Sequence, residues 1–237
     1  MHVDVIACVN EARSNCFSLK TAVVIDVLRT TSTVITALFH GAAGVIPVET
    51  VPQAKSIKQE NVILGGERFS RKIPGFDAGN SPYEYMSEDV INKFVVLTTS
   101  NGTRAIHKSL RASKLLLGGF INARACASAL LALRKDIIIM CAGNQDEFAI
   151  EDGLCAGMII KELIAASQTK IKMNDLGTAM YYAFLGCEDQ LYHVILGSAW
   201  GHKMEKMGLA ADVEYCCGLN QVPIVPILDE DFILRSM

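Results

Sequence analysis

The feature that most constrains this chain is a recurring unit: a short run rich in Val and Ile, a polar turn, then a stretch with helical apolar spacing. Apolar runs of that length suit strands buried on both faces, as in a parallel or mostly parallel sheet covered by helices. Strands are expected over 22–26, 44–48, 62–64, 94–97, 115–118, 136–141 and 224–228, and the alternating residues 1–8 read as another. Helices are expected over 31–39, 51–60, 103–110, 123–133, 151–166 and 193–207. The expected fold class is α/β, a three-layer α/β/α arrangement with a mostly parallel or mixed sheet, in one domain over 1–237.

Composition narrows the function. Lys and Arg number 22 against 25 Asp and Glu, and no basic run exceeds two residues, so nothing here tracks a nucleic-acid backbone. The most apolar stretch, 153–160, stops at Lys161 and Glu162, short of the roughly 20 residues a bilayer span needs. The opening segment has neither a basic region nor a long apolar run, so a cytoplasmic location is expected. The eight cysteines form no CxxC motif and read mostly as reduced, small apolar side chains. An apolar C-terminal half suggests a homodimer.

Three strand-to-helix turns share a chemistry. Val23 to Asp26 leads into Arg29, Thr30, Thr31, Ser32 and Thr33; Val95 to Thr98 leads into Thr99, Ser100, Asn101, Gly102, Thr103 and Arg104; Ile137 to Met140 leads into Cys141, Ala142, Gly143 and Asn144. Ligands in open α/β sheets bind outside the carboxyl ends of the strands, so the three turns are expected to share one rim. A guanidinium and hydroxyls at a helix start suit a phosphate or sulfonate. A helix cap alone needs one hydroxyl, and the first turn offers four. Asn101-Gly102 permits a tight turn whose N–H groups can cradle an anion, although the GxxxxGK[ST] loop is absent.

Carboxylates accompany these turns. Asp26 ends a strand, Glu67 and Arg68 follow Gly65-Gly66, Asp77 sits in the glycine-flanked segment 65–82, and Asp146, Glu147, Glu151 and Asp152 follow Cys141. Acidic residues favour a helix N-terminus, which accounts for Glu151 and Asp152 and leaves Glu147 unassigned. Oxygen-only ligands select Mg²⁺ or Mn²⁺ over zinc. The set as a whole describes a site for a cation and a small anionic phosphorylated substrate. The five histidines show no paired spacing and are read as packed or exposed, and Trp200 and Met204 as core or interface. Gly153 and Gly157 read as a close helix contact. A regulatory module that binds an anion or nucleotide without turnover is the alternative, although carboxylates beside the anion turns would repel its ligand. No GxGxxG follows a strand, which argues against a dehydrogenase.

The ordered set Val24 to Thr33, Gly65 to Arg68, Gly75-Phe76-Asp77 with Gly79-Asn80-Ser81-Pro82, Thr98 to Thr103, Cys141-Ala142-Gly143 and Glu151-Asp152-Gly153 resembles the 2-phosphosulfolactate phosphatase family. Ser198, Leu209 and the stretch from Asp212 to Cys216 are similar to its C-terminal part. The resemblance implies a Mg²⁺-dependent hydrolase that converts (R)-2-phospho-3-sulfolactate to 3-sulfolactate and phosphate, on the route to coenzyme M. On that reading Asp26, Glu67, Asp77 and Asp152 hold the metal. Arg29, Thr30, Thr31, Ser32, Arg68, Asn80, Ser100, Asn101, Gly102, Thr103 and Arg104 hold the substrate. Asp26, Glu147 and Cys141 are the catalytic candidates. Because Leu28 stands where a DxD motif would need its second Asp, attack by a metal-activated water is preferred, with Asp26 as nucleophile second and Cys141 third.

Overall fold

A computed structural model describes residues 1–57 and 61–237, Ser14 through its backbone alone. Strands β1 (His2–Ile6), β2 (Thr21–Ile25), β3 (Gly44–Pro47), β4 (Val62–Arg68), β5 (Arg71–Lys72), β6 (Phe94–Thr98), β7 (Lys114–Gly118), β8 (Ile137–Cys141), β9 (Lys172–Met173), β10 (Pro226–Leu228) and β11 (Leu234–Ser236) form one sheet. Its order is β5-β4-β6-β3-β11-β10-β7-β2-β8-β1-β9. Two parallel blocks, β4-β6-β3 and β7-β2-β8-β1-β9, are joined through the antiparallel pair β10 and β11. The architecture is three-layer α/β/α with a mixed sheet.

Strands β2, β3, β6, β7, β8 and β9 each lead into a helix. The helices are α1 (Thr30–Phe39), α2 (Val51–Ser56), α3 (Gly102–Lys108), α4 (Ala123–Leu133), α5 (Ile150–Ala166), α6 (Asp175–Cys187), α7 (Leu191–Leu196), α8 (Ala199–Lys206) and α9 (Ala210–Cys216). Strand β2 is buried along its whole length, which is why it reads as an unbroken apolar run. Its side chains alternate between two cores. Val23 and Ile25 pack with β8, α4, α5 and α7 to α9, whereas Ala22 and Val24 pack with β7, α1 and α3. Val45, Ile63, Val95 and Leu97 of the other block enter that second core, so the two blocks share an apolar centre. Burying each of Val23, Val24 and Ile25 is worth roughly 1.5–3 kcal/mol.

Several expectations are revised in detail. Helix 51–60 is helical over Val51–Ser56, and residues 58–60 lie outside the described set. The expected helix 193–207 is two helices, because the chain breaks at Gly197-Ser198 and Ser198 caps α8 by accepting from the Gly201 N–H. Strand β4 runs past the expected 62–64, through Gly65-Gly66 to Arg68, and turns at Phe69 and Ser70, so the start of segment 65–82 is a strand and hairpin. Helix α6 is the partner that Gly153 and Gly157 of α5 require: a Cβ on Gly157 would lie 2.1 Å from the Met180 carbonyl oxygen.

Candidate active site

The three turns do converge. Asp26 is buried at the end of β2, and the Thr31 hydroxyl and N–H fold back to the Asp26 carbonyl at 3.0 Å each. The Thr30 hydroxyl bonds the Thr99 hydroxyl at 3.1 Å, joining the first turn to the second. Asn101 donates to Asn144 Oδ1 at 3.4 Å, joining the second to the third. Glu67 reaches in from β4 and accepts from the Ser100 and Ser70 N–H groups, 2.7 Å each. One cleft results, lined by Asp26, Arg29, Thr30 and Glu67 together with Asn80, Ser100, Asn101, Trp200 and Lys203.

The extra hydroxyls have structural partners. Ser32 donates to the Val27 carbonyl at 2.9 Å, and Thr33 donates to the Asn80 carbonyl at 2.9 Å, so they shape the turn and the Asn80 loop. Thr103 donates to the Thr99 carbonyl, and the Thr103 N–H is bonded to the Thr99 hydroxyl, so those groups hold their own turn together. Gly102 is the residue that close approach demands: a Cβ there would lie 2.5 Å from Asp26 Oδ2 and 2.4 Å from Thr30 Cβ.

Other candidates stand apart from the cleft. Asp152 is buried, and its two oxygens accept the Val27 and Gly143 N–H groups at 2.8 and 3.0 Å, so it clamps the first turn to the third. Exposed Asp77 accepts from the Leu64 N–H, and Arg68 donates to the Glu67 and Glu49 carbonyls and the Thr98 hydroxyl. Arg104 pairs with Asp146 at 2.9 Å on the far side of α3. Glu147 is exposed, its backbone bonded to that of Asn144 in both directions. Cys141 is fully buried in the core that holds Val23 and Ile25 and does not line the cleft, and burial, with Asp152 next, pushes its thiol well above the ordinary range.

The buried acids perturb one another. Burial raises the Asp26 carboxyl to about 6; Thr30 hydrogen bonding opposes this, Glu67 repulsion adds to it, and Arg29 opposes it. Glu151, also buried, rises to about 7, from burial first and then from the Asp26 charge. Asp152 is pushed up by burial, Asp26 and Glu151, with its two N–H partners pulling down. A cation is the natural counterweight to such acids. Among the described residues no three His, Cys, Asp or Glu side chains are gathered tightly enough to hold a metal unaided. Mg²⁺ needs less, since one or two carboxylates with water and substrate phosphate suffice. Asn80 Oδ1 is buried without a hydrogen-bond partner among the described residues. With Asp26 and Glu67 on the same cleft, it completes an all-oxygen donor set that fits Mg²⁺.

Sequence reasoning missed several residues in and around the cleft. Trp200 packs against the core as expected but also lines the cleft, while Met204 is buried as expected. Lys203 and Gln145 line it too. Asp212, buried on α9, accepts from Arg29 at 2.5 Å and from Ser81 at 2.9 Å. Helical spacing alone marks Trp200 and Lys203, three residues apart, as one face; nothing in it says that the face covers a cleft.

An α/β/α fold whose anion-suited turns meet buried carboxylates at strand ends is that of a phosphoryl-processing enzyme. The model of the 2-phosphosulpholactate phosphatase family matches residues 7–231, and the chain belongs to that family of phosphoric monoester hydrolases. It is 40% identical over 229 residues to a Clostridium tetani protein named probable 2-phosphosulfolactate phosphatase, covering 95% of this chain and 97% of that one. A Thermotoga maritima protein of the same name is 40% identical over 221 residues, 92% of this chain and 93% of the other. A Clostridium botulinum namesake is 37% identical over 239 residues, 99% and 100% of the two chains.

Proposed function

We propose that this chain hydrolyses (R)-2-phospho-3-sulfolactate to 3-sulfolactate and phosphate with Mg²⁺, as in a route to coenzyme M. The observation that carries this reading is the meeting of Asp26, raised to about 6, with Arg29 and Thr30 in one cleft of a chain of this family. Arg29 and the Thr30 and Ser100 hydroxyls bind phosphoryl oxygens, and a guanidinium fork suits such an anion. Mg²⁺ on Asp26, Glu67 and Asn80 Oδ1 would neutralise phosphate charge that the carboxylates otherwise repel.

In the step itself the oxygen of water bonds to phosphorus as the bond to the C2 oxygen breaks. A proton of that water passes to an Asp26 carboxylate oxygen, and the departing C2 oxygen takes a proton to become the 2-hydroxyl. No helix of the described residues is long and apolar enough to cross a membrane, and the eight cysteines are free, which suits the reducing cytoplasm we assign.

The test is phosphate release from a panel of phosphorylated hydroxy acids, with Mg²⁺ and with chelator. Turnover of 2-phospho-3-sulfolactate that vanishes in chelator and returns with Mg²⁺ is expected. Full turnover by metal-free enzyme would exclude the metal, and a preference for an unrelated phosphate ester would exclude the substrate.

A further inference from the structure

The charge inventory of the cleft leaves one group without a task. Among the described residues two cations line it, Arg29 and Lys203. Arg29 is already matched by Asp212 in a buried pair. Among the described residues no carboxylate pairs with Lys203; its neighbours His202 and Glu205 on α8 face each other at 3.4 Å instead. The Lys203 ammonium lies 4.7 Å from the centre of the Trp200 ring, a cation–π contact that narrows its positions. The Trp200 indole N–H in turn donates to the Leu28 carbonyl at 3.3 Å, one residue before Arg29. Beneath them Met204 anchors α8 in the core. An exposed lysine is thus tied, through an aromatic ring, to the turn that presents Asp26 and Arg29.

We infer that Lys203 is the specificity-determining residue for the second acid group of the substrate, its carboxylate or its sulfonate. This rests on the substrate reading above. Asp26 and Glu67 face the cleft and repel any anion, and a metal at the phosphate does not answer a further negative group elsewhere on the ligand. A compact, strongly hydrated ammonium on a flexible stem answers it as a point charge, without the fixed fork of a guanidinium. The proline-free helix α8 follows the break at Gly197, so the cation sits on an element separate from those that carry the phosphate site.

The experiment compares wild type, Lys203→Met and Lys203→Arg on four esters: 2-phospho-3-sulfolactate, 2-phospholactate with the carboxylate alone, 2-phosphooxypropane-1-sulfonate with the sulfonate alone, and isopropyl phosphate with neither. Lys203→Met is expected to raise KM for the full substrate by about tenfold or more with kcat within about threefold, and Lys203→Arg to restore most of it. The single-acid ester whose KM rises in parallel identifies the acid group, and KM for isopropyl phosphate stays within about twofold. An unchanged KM for the full substrate, or an equal rise for isopropyl phosphate, would overturn the inference. No phosphate release from 2-phospho-3-sulfolactate by wild type would instead overturn the substrate reading, and this one with it.

Discussion

Arg29 and Asp212 form a buried ion pair at 2.5 Å that ties the start of α1 to α9, 183 residues away in sequence. Both side chains are 7% exposed, so neither charge is screened by water. Removing one partner of such a pair leaves a buried charge alone, at a cost of about 3–5 kcal/mol. Asp212→Ala is therefore expected to lower the melting temperature by many degrees, and Arg29→Lys to lower kcat/KM by about tenfold or more, since an ammonium cannot reproduce the fork. Arg104→Lys should change kcat/KM less than about twofold, because its guanidinium pairs with Asp146 outside the cleft. Steady-state kinetics and thermal melts check all three.

Gly102 is pressed against the reacting end of Asp26. Gly102→Ala places a methyl group where Asp26 Oδ2 and Thr30 now sit, and overpacking of that kind costs about 1–3 kcal/mol. A fall in kcat of about a hundredfold or more is expected, because the displaced groups are the ones proposed to act on the phosphate. A variant that melts like wild type and turns over like wild type would show that the turn yields without disturbing Asp26.

Much of this was legible from the residues themselves. The strand cores, α1, α4 and α5 follow from unbroken Val and Ile runs and helical spacing, and the shared rim follows from where parallel strands end. Hydroxyl counts were misleading for a physical reason: Thr31, Ser32 and Thr33 are bonded to backbone carbonyls, and sequence cannot say whether a hydroxyl faces a ligand or its own turn. Asp152 shows the same limit, as a carboxylate that reads as a ligand but holds two N–H groups. Strand β11 and helices α6 and α9 were invisible because a three-residue strand carries no period and α6 has only two buried residues to mark a face.

Cys141 lies fully buried in the core and is not among the residues lining the cleft, and its thiol is held well above the ordinary range by burial. Cys141→Ser is expected to keep kcat within about threefold while losing about 1–3 kcal/mol of stability to a buried hydroxyl. Trapping a phosphocysteine in a quenched single turnover would overturn this.

Glu151 supplies a pH signature. Its folded-state value of about 7 lies above the ordinary 4.5, so the folded protein binds the proton more tightly than the unfolded chain. The contribution is therefore fully present below about pH 4.5 and is lost as pH rises through 7. In chelator, the melting temperature of wild type relative to Glu151→Gln should fall between pH 5 and pH 8, a difference that thermal melts at matched ionic strength would read. A constant difference would place no proton on Glu151.

The most direct measurement is the turnover of Asp26→Asn on 2-phospho-3-sulfolactate at saturating Mg²⁺, alongside its melting curve. Asp26 is given both a proton and a share of the metal, so kcat is expected to fall by at least about a hundredfold with the fold intact. A well-folded Asp26→Asn enzyme that releases phosphate at the wild-type rate would contradict the account, because Asp26 is the group to which the proton transfer is assigned.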